Sequence, residues 1–349
     1  MRRRAAAAAL LLLCASTGAK TTSGSARAAK LRDALGPLYG RRSEIVQAAQ
    51  SIAQEHALET QWVEGVLAQA RFVAQVAQLI MPGAAPAAKN WIAYRARFVE
   101  PLRIDAGVRW WRDNEDWLIR AEQRFGVPSE IVVGIVGVET FYGRVTGSFR
   151  VIDALSTLSF DFPSGRSDRS PFFRSELGHF LKLAHREGWD PLTIRGSYAG
   201  AMGLPQFMPS SVLHYAIDFD DDGRVDLAAS AADVVGSVAR FLSEHGWQRD
   251  MPTHYAVEPP EKTIERALLL VPDIVPSFSA AQMVERGATL SDAGLKHEGA
   301  LALIELHNDE LPPSYVAGTQ NFYALTRYNA SSYYALSVVE LGRAVAAAR

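Results

Sequence analysis

The sequence predicts a mainly α protein with a small mixed α/β subdomain towards its C-terminal end. Three observations predict it. Apolar residues recur at helical spacing between residues 31 and 125, with a loop at Met81-Pro82-Gly83 through Pro86. From Pro128 to Gly143 a proline at the start and a glycine at the end frame a further helix. After Trp247 prolines at 252, 259, 260, 272 and 276 interrupt the pattern, and strand-like stretches follow at 300–306 and 321–326.

The elements follow in order. Residues 20–30 are rich in Ser, Thr, Gly and Ala and read as a linker, and 31–90 as an N-terminal helical region. Trp91–Phe98 and Ile104–Phe125 read as two helices joined at Pro101. The second is amphipathic, with Val108, Trp111, Trp117, Leu118 and Ala121 at helical spacing. The helix after Pro128 runs about four turns. Residues 149–162 look less regular. Ser170 and Pro171 cap and start a helix that stops at Gly188. Residues 195–209 are glycine-rich and nearly uncharged. Ser230 with Asp233 reads as a capping box, opening a helix that ends at Gly246. The main body thus spans 91–250. Residues 251–349 form the mixed subdomain and a closing helix over 333–347.

At 349 residues the chain suffices for one large or two modest domains. Its 48% apolar and 21% charged residues are a globular composition, and a net charge of −2 gives no reason to expect nucleic acid. Arg2, Arg3 and Arg4 precede a short apolar run, Ala5–Leu13, so residues 1–19 read as an export signal. Two processing readings stand open. Cleavage follows Ala19, or it precedes Cys14, which then carries a lipid; Leu11-Leu12-Leu13-Cys14 is an imperfect lipobox. Cys14 is the sole cysteine, so no intrachain disulfide forms.

Glu139 is the candidate for the chemistry. It ends the uncharged run Ile131–Val138, and Ile135 and Val136 share its helical face. It therefore points into the core or a cleft. Burial and the negative end of the helix dipole both raise its pKa, which suits a general acid. A last-turn Glu swung out to pair with Arg144 is the plain alternative.

Three features accompany it. In Gly196–Gly203 and the residues beyond, glycines allow close approach of a ligand, and Ser197 and Gln206 offer hydrogen bonds from an apolar wall. Tyr323, Tyr328, Asn329, Tyr333 and Tyr334 suit a carbohydrate groove, rings for sugar faces and an amide for an acetamido group. Tyr333 and Tyr334 fit a plain core better than Tyr328 and Asn329 do. Lastly, Asp218, Asp220, Asp222, the Arg224 backbone carbonyl and Asp226 match an EF-hand loop with Gly223 at the sixth position, but Ala229 stands where an acid closes such loops. A structural Ca²⁺ site and a solvated acidic turn are both open; the chemistry itself requires no cofactor.

Together the stretches 94–111, 128–144, 152–163, 196–211, 218–226 and 322–329 resemble the membrane-bound lytic murein transglycosylase B family, family 103 of the glycoside hydrolases. The resemblance implies a lysozyme-like α-rich catalytic domain in the periplasm. It implies cleavage of the β-1,4 bond between N-acetylmuramic acid and N-acetylglucosamine in peptidoglycan, without water, leaving a 1,6-anhydro end. It makes Glu139 the catalytic acid and base, and puts Ser197, Gln206, Tyr328, Asn329 and Arg169, with Arg166 a weaker match, along the saccharide cleft. A monomer is expected, with glycan strands as partner and outer-membrane association through Cys14 if that residue is lipidated. Ordinary glycosidases use two carboxylates. Asp153 and Asp161 are the nearest downstream of Glu139, and a hydrolytic muramidase using one of them is the rival reading. Asp153 fits a helix cap or an arginine partner better. A non-catalytic peptidoglycan-binding protein is the other alternative.

Overall fold

The computed structural model describes residues 36–81 and 89–349. The export signal, Cys14 and the linker lie outside the described residues. Two compact units are present. One holds residues 36–81 and 145–215, the other 89–144 and 216–349.

The first unit is helical, with Ser43–His56, Thr60–Ala68, Ala74–Leu79, Val151–Phe160, Ser170–Glu187 and Pro209–Tyr215. Strands β1 (Phe149–Arg150) and β2 (Arg195–Gly196) form a minimal antiparallel pair, Phe149 opposite Gly196. Ile45, Leu67, Ile152, Leu155, Phe173 and Phe180 fill the core. The segment expected to be less regular is a helix, Val151–Phe160, buried from Val151 to Ser159. A helix buried all round lacks the amphipathic stripe that periodicity detects. Most of its polar groups are used: Asp153 accepts from the Arg71 amide at 2.9 Å and Thr157 from the Val73 amide at 2.9 Å. Ser159 donates to the Leu155 carbonyl at 2.6 Å. The helix at 170 is capped from outside, by Asp168 accepting from the Ser170 amide and hydroxyl.

The second unit contains Trp91–Ala96, Pro101–Asp113, Glu115–Phe125, Ser129–Thr140, Ala231–Glu244, Gln320–Tyr328 and Ser332–Ala347. The single helix expected over Ile104–Phe125 is two, meeting at Asn114. Ser230 caps its helix, accepting from the Asp233 amide at 3.2 Å, but the box is only half made: the buried Asp233 carboxylate instead accepts from the Phe219 and Asp226 amides, both at 2.7 Å. The mixed region is built on β3 (His254–Glu258), β4 (Thr289–Leu290), β5 (Ala302–Asn308) and β6 (Leu311–Gly318), antiparallel in the order β4-β3-β6-β5. Short helices Thr263–Leu270 and Ala280–Glu285 close a small core of Leu269, Met283, Leu290, Leu301 and Leu303. The strand expected at 321–326 is a helix instead, Gln320–Tyr328. Thr319 caps it, accepting from the Asn321 amide, and Asn321 turns inward to bond Gln248 and Met251. Tertiary bonds overrode local strand preference there.

Candidate active site

The site is built by two antiparallel helices, Ser129–Thr140 and Ser332–Ala347. Their register is set by glycine. A Cβ on Gly134 would lie 2.2 Å from the Val338 carbonyl oxygen, and one on Gly342 would lie 2.1 Å from that of Glu130. Only glycine lets the backbones approach so closely. The same register brings Tyr334 to Glu139, and the tyrosine hydroxyl donates to Oε1 at 2.6 Å. Glu139 is 8% exposed, inside a helix buried from Ile131 to Thr140. Burial pushes its carboxyl up to about 7, against the opposing pull of the Tyr334 bond. No other acid among the described residues contributes. Tyr328 stacks on Tyr334 with ring centroids 6.3 Å apart and planes 16° apart. Burial and the charge of Glu139 hold the hydroxyls of both rings protonated far above neutrality. Tyr94 is pushed up to about 12 by the same two causes. A carboxyl poised near neutrality among neutral phenols is equipped to give and then retake one proton.

The helix ends earlier than its glycine suggested. Pro128 is its N-cap, and Phe141, Tyr142 and Gly143 follow Thr140 in left-handed conformation, at φ 52°, 56° and 84°. Asn329 leaves a buried amide oxygen without a partner among the described residues, an acceptor available to a ligand. Tyr333 behaves as a core ring: its oxygen accepts from the His307 amide at 2.7 Å, and its ring meets Trp91 and Tyr94. Tyr334 does not. The sequence names Tyr334 among the groove candidates but favours a plain core for it, and no local signal marks its bond to Glu139, because that depends on a helix pairing across 195 residues. Tyr94 was likewise missed.

Ser197, Gln206 and Arg169 belong to the other unit. Ser197 Oγ accepts from the Ala199 and Ala201 amides, and Gln206 donates to the Thr146 and Gly203 carbonyls. Both shape the glycine-rich loop, with Gln206 itself at φ 50°. Arg169 is half-buried over Phe172 and Phe173, and one of its guanidinium nitrogens is buried without a partner among the described residues. Burial, then the neighbouring Arg166, lowers its pKa. Arg166 donates to the Ile80 carbonyl. Asp153 is gripped by Arg150 at 2.6 and 2.7 Å, and Asp161 accepts from Tyr39 at 2.5 Å. Both candidate second carboxylates are thus committed to structural partners.

Residues 41–343 match the model of the transglycosylase SLT domain. The chain belongs to that family. It is 37% identical over 323 residues to the membrane-bound lytic murein transglycosylase B of Escherichia coli strain K12, covering 90% of this chain and 86% of the relative. The structure of the Escherichia coli lytic transglycosylase SLT35 in complex with calcium is similar at TM-score 0.78 and 36% identity, over 90% of this chain and 96% of that one. SltB3 from Pseudomonas aeruginosa, in complex with NAG-anhNAM-pentapeptide, is similar at TM-score 0.69 and 25% identity, over 85% and 78%. The lysozyme-like, α-rich expectation agrees with these likenesses.

Within this SLT-family chain the acidic loop is well formed. Oxygens of Asp218, Asp220 and Asp222 lie within 4.8 Å of one another. Asp218 accepts from the Asp222 and Gly223 amides, Asp226 from those of Ala228 and Ala229, and Asp220 from the Ser230 hydroxyl. The second oxygen of Asp220 is buried without a partner among the described residues. Three converging carboxylates and one orphaned oxygen fit a hard divalent cation.

Proposed function

We propose that the protein is a lytic transglycosylase of peptidoglycan, cleaving the β-1,4 bond between N-acetylmuramic acid and N-acetylglucosamine. The observation that carries this is Glu139, buried with its carboxyl raised to about 7 and with no acidic partner among the described residues. Glu139 donates its proton to the glycosidic oxygen as the bond to the muramic acid C1 breaks. The acetamido group of that sugar shields C1 as an oxazolinium. Ionised Glu139 then takes the proton of the C6 hydroxyl as O6 bonds to C1 and the acetamido oxygen leaves C1, restoring the neutral amide. The acid is regenerated, the product carries a 1,6-anhydro ring, and no water is consumed. The NAG-anhNAM-pentapeptide bound by the Pseudomonas relative supports this outcome.

Tyr328 and Asn329 serve as sugar contacts in this reading, as do Ser197, Gln206 and Arg169, which rest on family resemblance. Asp218, Asp220, Asp222, the Arg224 carbonyl and Asp226 would hold Ca²⁺, supported by the loop's orphaned oxygen and by the calcium complex of the Escherichia coli relative. The ion would neutralise the carboxylates and fix the loop. The protein acts in the periplasm as a monomer, and lipidation at Cys14 would hold it at the outer membrane; mass analysis of the mature N-terminus distinguishes that from cleavage after Ala19. No helix among the described residues is long and apolar enough to cross a membrane.

The deciding experiment is digestion of purified peptidoglycan in heavy-oxygen water. The expected product is anhydro-ended and unlabelled, and Glu139→Gln releases none. Label in most new ends makes the enzyme a hydrolase. Binding without any release makes it a lectin-like protein.

A further inference from the structure

The left-handed turn after Glu139 packs against one stripe of a neighbouring helix. Phe141 and Tyr142 are both non-glycine residues at positive φ, and each such residue costs roughly 1–2 kcal/mol. Such a conformation persists only where surrounding contacts over-determine it. Besides the turn's own bonds, such as that of the Gly143 amide to the Thr140 hydroxyl at 3.1 Å, contacts come from Arg103, Gly107 and Trp110, which lie at i, i+4 and i+7 on the helix Pro101–Asp113. The Arg103 guanidinium sits 4.6 Å from the Phe141 ring centroid and 5.1 Å from that of Phe98, and it donates to the Gly137 carbonyl at 3.1 Å. Arg144 covers Phe141 at 4.7 Å, so that ring meets two guanidinium groups. Glu100 caps the stripe's own helix, accepting from the Arg103 amide at 2.7 Å, and its carboxylate stands 4.0 Å from Arg103 Nε. Tyr142 tucks its hydroxyl between two glycines. A Cβ on Gly107 or Gly137 would lie 2.4 or 2.5 Å from it. Trp110 packs against the same ring with centroids 5.8 Å apart.

We infer that Arg103 is a positioning residue for the reaction: by clamping Phe141 and the Gly137 carbonyl it fixes the end of the helix that carries Glu139. Gly137 lies two residues before the acid and Phe141 two after, so Arg103 grips the backbone on both sides of it. It does not act as a charge on the carboxyl, whose shift comes from burial and Tyr334 alone. The planar guanidinium is needed because it stacks and donates at once; an ammonium does only the second well.

The inference rests on the proposed reaction, so the test separates the two. Arg103→Lys and Arg103→Gln are compared with wild type for anhydro-product release against pH, and folded content is checked by circular dichroism and melting. A displaced acid lowers kcat about ten- to a hundred-fold in Arg103→Gln. The loss is smaller in Arg103→Lys, and KM stays within about two-fold in both. The alkaline limb of kcat/KM moves to lower pH, because the acid has left its dry position. A rate within about two-fold of wild type in both variants overturns the inference. So does a raised KM with kcat kept, which would make Arg103 a glycan contact. A rate loss that only tracks the unfolded fraction, with the limb unmoved, overturns it too. Phe141→Leu, which leaves the Gly137 bond, gives the same pattern if the Arg103 variants do not fold. Should wild type release no anhydro product, the proposed reaction fails, and the NMR titration of the Glu139 carboxyl in wild type and Arg103→Lys still decides: equal midpoints overturn the inference.

Discussion

At the scale of single residues, Glu139 trades stability for protonation. Its folded pKa, about 7, lies above the 4.5 of an unperturbed Glu. The folded state therefore binds the proton more tightly than the unfolded chain. The stabilisation is complete below about pH 4.5 and is lost as pH rises through about 7, at about 1.4 kcal/mol per unit, or about 3 kcal/mol in all. Glu139→Gln removes this dependence. Its unfolding free energy is expected to exceed that of wild type increasingly between those two pH values; parallel curves across the window would remove the buried acid from the account. Tyr334→Phe tests the partner. Its bond favours the carboxylate, so its loss raises the pKa and moves the alkaline limb of kcat/KM to higher pH. That is the reverse of the shift expected for the Arg103 variants, and an unmoved limb counts against the bond. The acid was legible in the sequence because an uncharged run ended in one carboxyl. Its bond to Tyr334 was not, because nothing near residue 334 specifies a register with a helix about two hundred residues earlier.

At the scale of elements, glycine inside a helix has opposite meanings at two places. Gly134 permits contact with the C-terminal helix, and its Cβ would fall 2.2 Å from backbone oxygen, which cannot move aside as a flexible side chain does. Gly134→Ala is expected to destabilise by about 1–3 kcal/mol, or more, through overpacking. It should also lower activity by separating Tyr334 from Glu139. Gly65, in Thr60–Ala68, has no neighbour within 4 Å of an added Cβ, and Gly65→Ala should stabilise by about 0.5–1 kcal/mol through helix propensity. Denaturant unfolding of both variants checks the contrast; destabilisation by Gly65→Ala, or tolerance of Gly134→Ala, would break the packing argument. Periodicity could not tell these glycines apart. It found helices with one apolar face, merged the pair that meets at Asn114, and missed Val151–Phe160, which has no exposed face to alternate with. It also read 321–326 as a strand, because the Thr319 cap and the inward bonds of Asn321 belong to tertiary structure.

At the scale of the whole molecule, the chain leaves the unit of Glu139 at Arg144 and returns at Ala216, just before the acidic loop. That loop is anchored from inside by Phe219, fully buried between Trp117 and Phe125 and packed on Gly236, and by the two amide bonds to Asp233. Its outer side is held less well. Asp218, Asp220 and Asp222 repel one another, and the charges that offset them, Arg120 on Asp221 and Arg224 on Asp222, are exposed pairs at 3.2 Å. Exposed pairs contribute little. The sequence showed the spacing but not that the loop closes without an acid at 229, since that closure is supplied by Asp233 through backbone amides. Calcium binding to the folded loop alone would stabilise the protein by about 2.7 kcal/mol at a hundred times its dissociation constant. Added Ca²⁺ is therefore expected to raise the melting temperature, and Mg²⁺ to do so less, because it demands stricter octahedral geometry. Asp220→Asn should abolish the rise. Turnover well below the melting temperature should stay unchanged, since the loop holds no group of the Glu139 site. A melting temperature indifferent to millimolar Ca²⁺, or an equal rise in Asp220→Asn, would leave the loop a solvated acidic turn.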